Sequence, residues 1–273
     1  MNIGFIQGRL SPMIDGKIQA FPWDHWENEF NIASKIKLKL MEWTLDQEKL
    51  QLNPLMTSSG QKRIKSLCRK SNVKIPSLTG DCFMQYPFFK YKDNKKSALI
   101  SDLKKIVEAC SALNIELIVF PLVDNSSIED NEQQTKIIKE FKKLERHLER
   151  NMVKIVFESD FEPVKLKNFI DNFSQNCFGI NYDIGNSASL GFDYQKELHY
   201  YGNRILNVHV KDRILGGGTV PLGSGNADIP AVIKALNEIN YRGNYILQTA
   251  RALNSDHVSV LCKYRDEILS ILR

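Results

Sequence analysis

The sequence has no paired cysteines. Cys68, Cys82, Cys110, Cys177 and Cys262 stand far apart and no Cys-x-x-Cys occurs, which excludes a zinc knuckle and a disulfide-stapled module and points to a reducing compartment. No apolar run approaches the roughly 18 residues of a membrane span. The opening Met-Asn-Ile-Gly-Phe-Ile-Gln-Gly-Arg has no basic segment followed by a long apolar one, so a cytoplasmic protein without a membrane partner is expected. Glycine (15) and proline (9) are sparse in 273 residues, which argues against disorder and fibres. Charge of one sign is not concentrated either. The 37 Lys and Arg against 32 Asp and Glu leave a net +5 spread over many segments, so no nucleic-acid partner is expected. The first strand-to-helix turn, Gln7-Gly-Arg-Leu-Ser-Pro12, lacks Gly-x-Gly-x-x-Gly, and no Gly-x-x-x-x-Gly-Lys-Ser/Thr is present, which disfavours an open nucleotide-binding sheet.

What is present is a repeated alternation. Eight short apolar and β-branched runs read as strands: Ile3–Gln7, Leu38–Glu42, Val73–Leu78, Ile115–Phe120, Val153–Phe157, Phe178–Tyr182, Ile205–His209 and Tyr245–Gln248. Helical periodicity lies between them, clearest in Ile137, Phe141, Leu144 and Leu148. Asp24-His-Trp-Glu27 reads as a capping box, and Asp228-Ile-Pro places an N-cap before an early proline. Strictly alternating strands and helices require parallel strands with right-handed crossovers. Eight such units in this length predict a single-domain α/β protein, a (β/α)₈ TIM barrel over residues 1–273.

In such a barrel the chemistry sits at the C-terminal ends of the strands. The fifth run ends in Glu158, the sixth in Asp183, the seventh in His209 and the eighth in Gln248. Two carboxylates, an imidazole and an amide oxygen suit a divalent ion, Mn²⁺, Mg²⁺ or Co²⁺, with Zn²⁺ also admitted. Singly, each is an ordinary polar residue at a strand end; their succession on consecutive strands is what points to a metal.

The chain resembles the sugar phosphate isomerase/epimerase family of xylose isomerase-like TIM barrels over nearly its whole length. The resemblance rests on Gly8-Arg-Leu-Ser-Pro12, Met41-Glu-Trp43, Glu158, Asp183-Ile-Gly-Asn186, His209-Val-Lys-Asp212 and Val220-Pro-Leu-Gly-Ser-Gly225. It implies a divalent metal on Glu158, Asp183, His209 and the position of Gln248, and proton transfer beside a carbonyl on a small sugar or sugar phosphate. It also implies a homodimer or homotetramer. The departure is at Gln248, where the family typically has glutamate. An amide can lend an oxygen to a metal but cannot take up or return a proton.

Three accounts of Gln248 follow. Glu158 alone moves the proton, which suits an isomerase or a dehydratase of the same superfamily; Lys211 replaces the missing acid; or the barrel binds sugar and has lost epimerase activity. Further substrate contacts are expected from Gln7, from Arg9 as a bidentate anion clamp, and from Glu42, Asp81 and Asn186. Glu42 is alternatively a partner for Arg9. Asp212 is expected to orient Lys211 or a loop. The glycines from Gly216 to Gly225 and the helix start at Asp228 are candidate phosphate-binding amides. Abasic-site endonucleases share this barrel but hold three zinc ions on many histidines, and only five histidines occur here.

Overall fold

In the computed structural model, which describes residues 2–252 and 254–272, eight parallel strands close into a barrel. They are β1 (Ile3–Ile6), β2 (Leu40–Thr44), β3 (Ser77–Thr79), β4 (Leu117–Leu122), β5 (Lys154–Ser159), β6 (Phe178–Asp183) and β7 (Ile205–Val210). A short antiparallel hairpin follows, β8 (Asp212–Arg213) with β9 (Thr219–Val220), and β10 (Asn244–Leu247) closes the barrel between β7 and β1. The TIM-barrel expectation is thus met. The helices are α1 (Trp26–Lys35), α2 (Ser58–Ser71), α3 (Asp81–Gln85), α4 (Asp93–Ala112), α5 (Asn131–Asn151), α6 (Pro163–Ile170), α7 (Ile184–Leu190), α8 (Tyr194–Tyr201), α9 (Ile229–Glu238) and α10 (His257–Leu272).

Alternation along the strands divides the interior in two. One set of side chains packs between sheet and helices. There Phe141 of α5 lies edge-on to Phe120, Phe157 and Phe178 of three adjacent strands, with ring centroids 5.0, 5.1 and 5.9 Å away. The buried face of α5 is Ile137, Phe141, Leu144 and Leu148, the stripe its sequence spells. The other set fills the barrel. Towards the C-terminal ends it turns polar, with Gln7, Glu42, Ser77, Asn181, Asn207 and His209 all buried.

Three details differ from the sequence reading. Pro76 has no N–H, so Lys74 makes only an isolated bridge to Leu40 and continuous β3 pairing starts at Ser77. The second strand runs to Thr44, leaving Glu42 two residues short of the rim. The Asp24–Glu27 capping box does not form. His25 is the N-cap without a side-chain bond, its N–H and that of Trp26 donate to the Pro22 carbonyl, and Glu27 pairs with Arg63 of α2. Asp228 does cap α9, accepting from the Ala231 N–H 3.1 Å away.

Between β6 and β7 the register slips by one residue at Leu206, so that Asn181 faces Asn207 and Asp183 faces His209.

Phe141→Ala is expected to lower unfolding free energy by about 3–5 kcal/mol, because a fully buried aromatic leaves a cavity among rings that cannot all close on it. Urea denaturation of the variant beside the wild type measures this.

Candidate active site at the C-terminal rim of the barrel

β5, β6 and β7 end side by side, and ligand atoms of Glu158, Asp183 and His209 lie within 4.8 Å of one another. His209 Nδ1 is 3.2 Å from Glu158 Oε2 and 3.9 Å from Asp183 Oδ2. The imidazole is aimed by Glu42, whose Oε1 is 2.7 Å from Nε2. Glu42 also accepts from Ser77 Oγ at 2.7 Å and Asn207 Nδ2 at 2.9 Å, and is completely buried. It therefore neither meets substrate nor pairs with Arg9; two residues of extra strand carried it below the rim, and its work is to orient His209.

Burial pushes the His209 pKa down, but the charges and hydrogen bonds of Glu42 and Glu158 outweigh this and raise it to about 10. Burial pushes the Glu158 carboxyl up, whereas its hydrogen bond to His209 and the charges of His209 and Lys211 hold it below the ordinary value. Glu158 receives two amide N–H bonds of 2.7 Å, from Asn181 to Oε2 and Asn186 to Oε1. Its position is thus fixed and its charged form favoured.

Lys211 follows β7. Its ammonium is 3.1 Å from Asp183 Oδ2, 3.1 Å from Asn186 Oδ1 and 3.4 Å from Gln248 Oε1. These donors already hold a cation, and the three atoms of Glu158, Asp183 and His209 offer the mixed oxygen and nitrogen set that divalent ions take. The residues fit the metal that the resemblance implied, with Nε2 secured by Glu42 and Nδ1 turned to the shared point. At Nδ1 an ion competes with the proton that Glu158 stabilises.

Asn186 touches Glu158, Lys211 and Arg213, whose Nη1 is 2.8 Å from its Oδ1. Gly185 lets α7 lie this close: a Cβ there would stand 2.8 Å from Lys211 Cγ. Gln7 is buried, its Oε1 accepting from the Thr44 N–H at 3.2 Å while Nε2 has no partner among the described residues. Asp81 is buried at the start of α3 and accepts from Gln19 Nε2 at 2.7 Å.

The anion clamp is not formed by Arg9. Its Nε donates to the Thr249 carbonyl at 2.9 Å, Nη1 to the Ile18 carbonyl at 2.7 Å and Nη2 to Gln19 Oε1 at 3.5 Å, so the guanidinium ties down the loop between β1 and α1. Burial and the neighbouring Arg251 charge pull its pKa down to about 9. The glycine-rich loop is not free for phosphate either. Asp212 accepts from the N–H groups of Gly223, Gly225 and Ala227 at 2.9, 2.8 and 3.1 Å, and a Cβ at Gly225 would stand 2.2 Å from its Oδ1. The N-terminus of α9 is filled by its own Asp228.

Sequence reasoning missed several partners. Asn181 and Asn207 share parity with Asp183 and His209, a signal that was there to be read. Gln19 lies in an irregular loop with no period to betray it, although its Oε1 accepts from Gln248 Nε2 at 3.0 Å. Glu29, Arg213 and Arg251 carried no strand-end signal. Near the start of α1, Phe21 and Phe30 are core, while Trp23 lines a cleft of about 580 Å³ with Asp46, Lys49, Gln85 and Tyr86.

The family model described as xylose isomerase-like TIM barrel matches residues 30–263. The chain belongs to this family. A relative from Escherichia coli K12, provisionally named L-ribulose-5-phosphate 3-epimerase SgbU, is 21% identical over 240 residues, covering 82% of this chain and 83% of that one. Among solved structures, the IOLI protein with a bound zinc atom superposes with TM-score 0.77 at 17% identity, covering 99% and 98%. D-allulose 3-epimerase from Methylomonas sp. in complex with D-allulose gives 0.75 at 15%, covering 99% and 96%. At these identities the structures establish the barrel. The expected kinship with sugar phosphate isomerases and epimerases is borne out.

Asp81 offers a test of the rim's electrostatics. Burial and the Asp46 charge, with Glu158 adding a smaller push, outweigh Gln19 and Arg9 and raise its pKa from 3.8 to about 7. The folded state therefore binds this proton more tightly than the unfolded chain, so stability falls as pH rises from about 4 to about 7. Asp81→Asn is expected to be close to neutral in stability at pH 4 and more stable than wild type by ~4 kcal/mol at pH 8, as paired urea titrations at the two pH values would show.

Proposed function

We propose that the chain is a metal-dependent isomerase or epimerase of a small sugar or sugar phosphate, working by enediolate-type proton transfer. The observation that carries this is the convergence of Glu158, Asp183 and His209 on one point, with the oxygen of Gln248 turned to the same side through Lys211. The names of its relatives support the sugar class, and the zinc atom and D-allulose in two barrels of the same shape support the metal and the ligand.

Glu158, Asp183 and His209 would hold the ion, with Gln248 Oε1 as a neutral fourth donor. When bound, the ion supplies stabilisation of negative charge on the substrate's carbonyl and adjacent hydroxyl oxygens. Glu158 is the proton-moving group: it is kept ionised by His209 and Lys211 and held in one orientation by Asn181 and Asn186. On the side of Gln248 no carboxylate is available. Lys211, whose ammonium is 3.4 Å from Gln248 Oε1 and 3.1 Å from Asn186 Oδ1, takes the second role. Gln7 is as fully buried as Glu42 and holds Thr44 of β2 instead of meeting substrate, while Asp81 with Gln19 stands on the side of Gln248.

A second reading is favoured by Gln248 itself, that of a sugar-binding barrel without turnover; a dehydratase of the same superfamily would use Glu158 alone. The five free cysteines are in keeping with the cytoplasmic location of this proposal, which also takes from the family resemblance a homodimer or homotetramer.

Elemental analysis of protein purified without chelator is expected to give near one Mn, Co or Zn per chain, lost in Asp183→Asn and His209→Ala. On a panel of ketoses and their phosphates in D₂O, wild type should incorporate solvent deuterium at the carbon beside the carbonyl. Glu158→Gln should lower that rate by about 10²–10⁴. Sugar binding with neither exchange nor turnover would establish the binding-protein reading instead.

A further inference from the structure

A carboxylate at position 248 would present oxygen whichever way it turned. A carboxamide does not: its Oε1 accepts a cation and its Nε2 repels one, although the two ends have nearly the same shape. Something must therefore settle which end faces Asp183 and Lys211.

Above about pH 8, where the Asp81 carboxyl has lost its proton, the wall of the cup contains a chain of groups whose polarity is fixed at both ends. Asp81, when ionised, can only accept, and takes Gln19 Nε2 at 2.7 Å. Arg9 can only donate, and its Nη2 reaches Gln19 Oε1 at 3.5 Å. Between an obligate acceptor and an obligate donor, Gln19 has one orientation. Its Oε1 then faces Gln248 and accepts Nε2 at 3.0 Å, which leaves Gln248 Oε1 turned to Lys211 Nζ, an obligate donor, at 3.4 Å. Every link agrees with its neighbours. Reversing either amide would set N–H against N–H or oxygen against oxygen.

We infer that Gln19 is a positioning residue which, held by Asp81 and Arg9, locks the Gln248 carboxamide with its oxygen towards the cation site. The inference rests on the reading of Gln248 as a cation donor and explains how a neutral side chain serves at that position. Gln19 itself reaches no ligand atom; it acts through Gln248.

The test uses the full chain with Mn²⁺ alone, titrated by electron paramagnetic resonance, and NMR of the Gln248 side-chain amide in metal-free protein, identified by its absence in Gln248→Glu. Gln19→Leu should weaken Mn²⁺ binding about tenfold, the scale of one hydrogen-bonded donor set free to turn. It should also speed hydrogen exchange of the Gln248 amide. Gln19→Glu with Asp81→Asn reverses the first link while keeping an acceptor towards Gln248, and should restore both signals to near wild type. In a Gln248→Glu background, whose two oxygens are equivalent, Gln19→Leu should no longer weaken Mn²⁺. Equal weakening in both backgrounds, or an unchanged amide signal in Gln19→Leu, would overturn the lock. Should wild type bind no Mn²⁺, the metal reading falls while the amide exchange, with its rescue by the double variant, still decides the lock.

Discussion

One buried carboxylate organises the upper barrel. Glu42 lies wholly out of water, and an isolated charge there would cost several kcal/mol. It is held because His209 and Asn207 of β7 and Ser77 of β3 all direct their donors to it. The same bonds that make the charge tolerable also fix the imidazole, and through Asn207 and Asn181 they reach Glu158. Stability and site geometry are here a single network, so the interior cannot be repacked with apolar residues without dismantling the cup.

Around this centre the loops are pinned by a related device, a buried carboxylate that gathers backbone N–H groups where Glu42 gathers side chains. Glu29 of α1 accepts from Gly8 and Leu10, and Asp212 gathers the turn after β9. Arg9 and Arg251 work in the opposite sense, each donating to the Ile18 carbonyl. Rim loops that would otherwise carry the entropy of irregular chain are thereby ordered against the barrel.

The fold was legible because alternation and periodicity are local. Eight runs marked eight strands, and the stripe on α5 is the stripe that is buried. The residues Glu158, Asp183 and His209 were legible for the same reason, since a strand end has a recognisable sequence position. Their partners were less so. Glu42 looked like a rim residue because the end of β2 was misplaced by two positions. Arg9 looked like an anion clamp, but the backbone carbonyls of Ile18 and Thr249, which carry no mark in the sequence, hold its guanidinium in the loop. Gln19 reaches the site across 229 residues of chain separating it from Gln248. Contacts of that kind exist only once the barrel has closed.

The one-residue slip at Leu206 sets a phase. A strand repeats every two residues, so a single extra residue is half a period and decides which side chains line the barrel and which meet the helices. Beyond the slip, Asn207 and His209 share the inner face with Asn181 and Asp183. Without the slip the same residues would set Val208, not His209, opposite Asp183, turning the imidazole towards the helices and a valine into the cup. Were Leu206 lost, Asn207 and His209 would still face Asn181 and Asp183, in regular register. The bulge thus acts as a phase corrector, taking up one residue so that the rest of the strand keeps step with its neighbour.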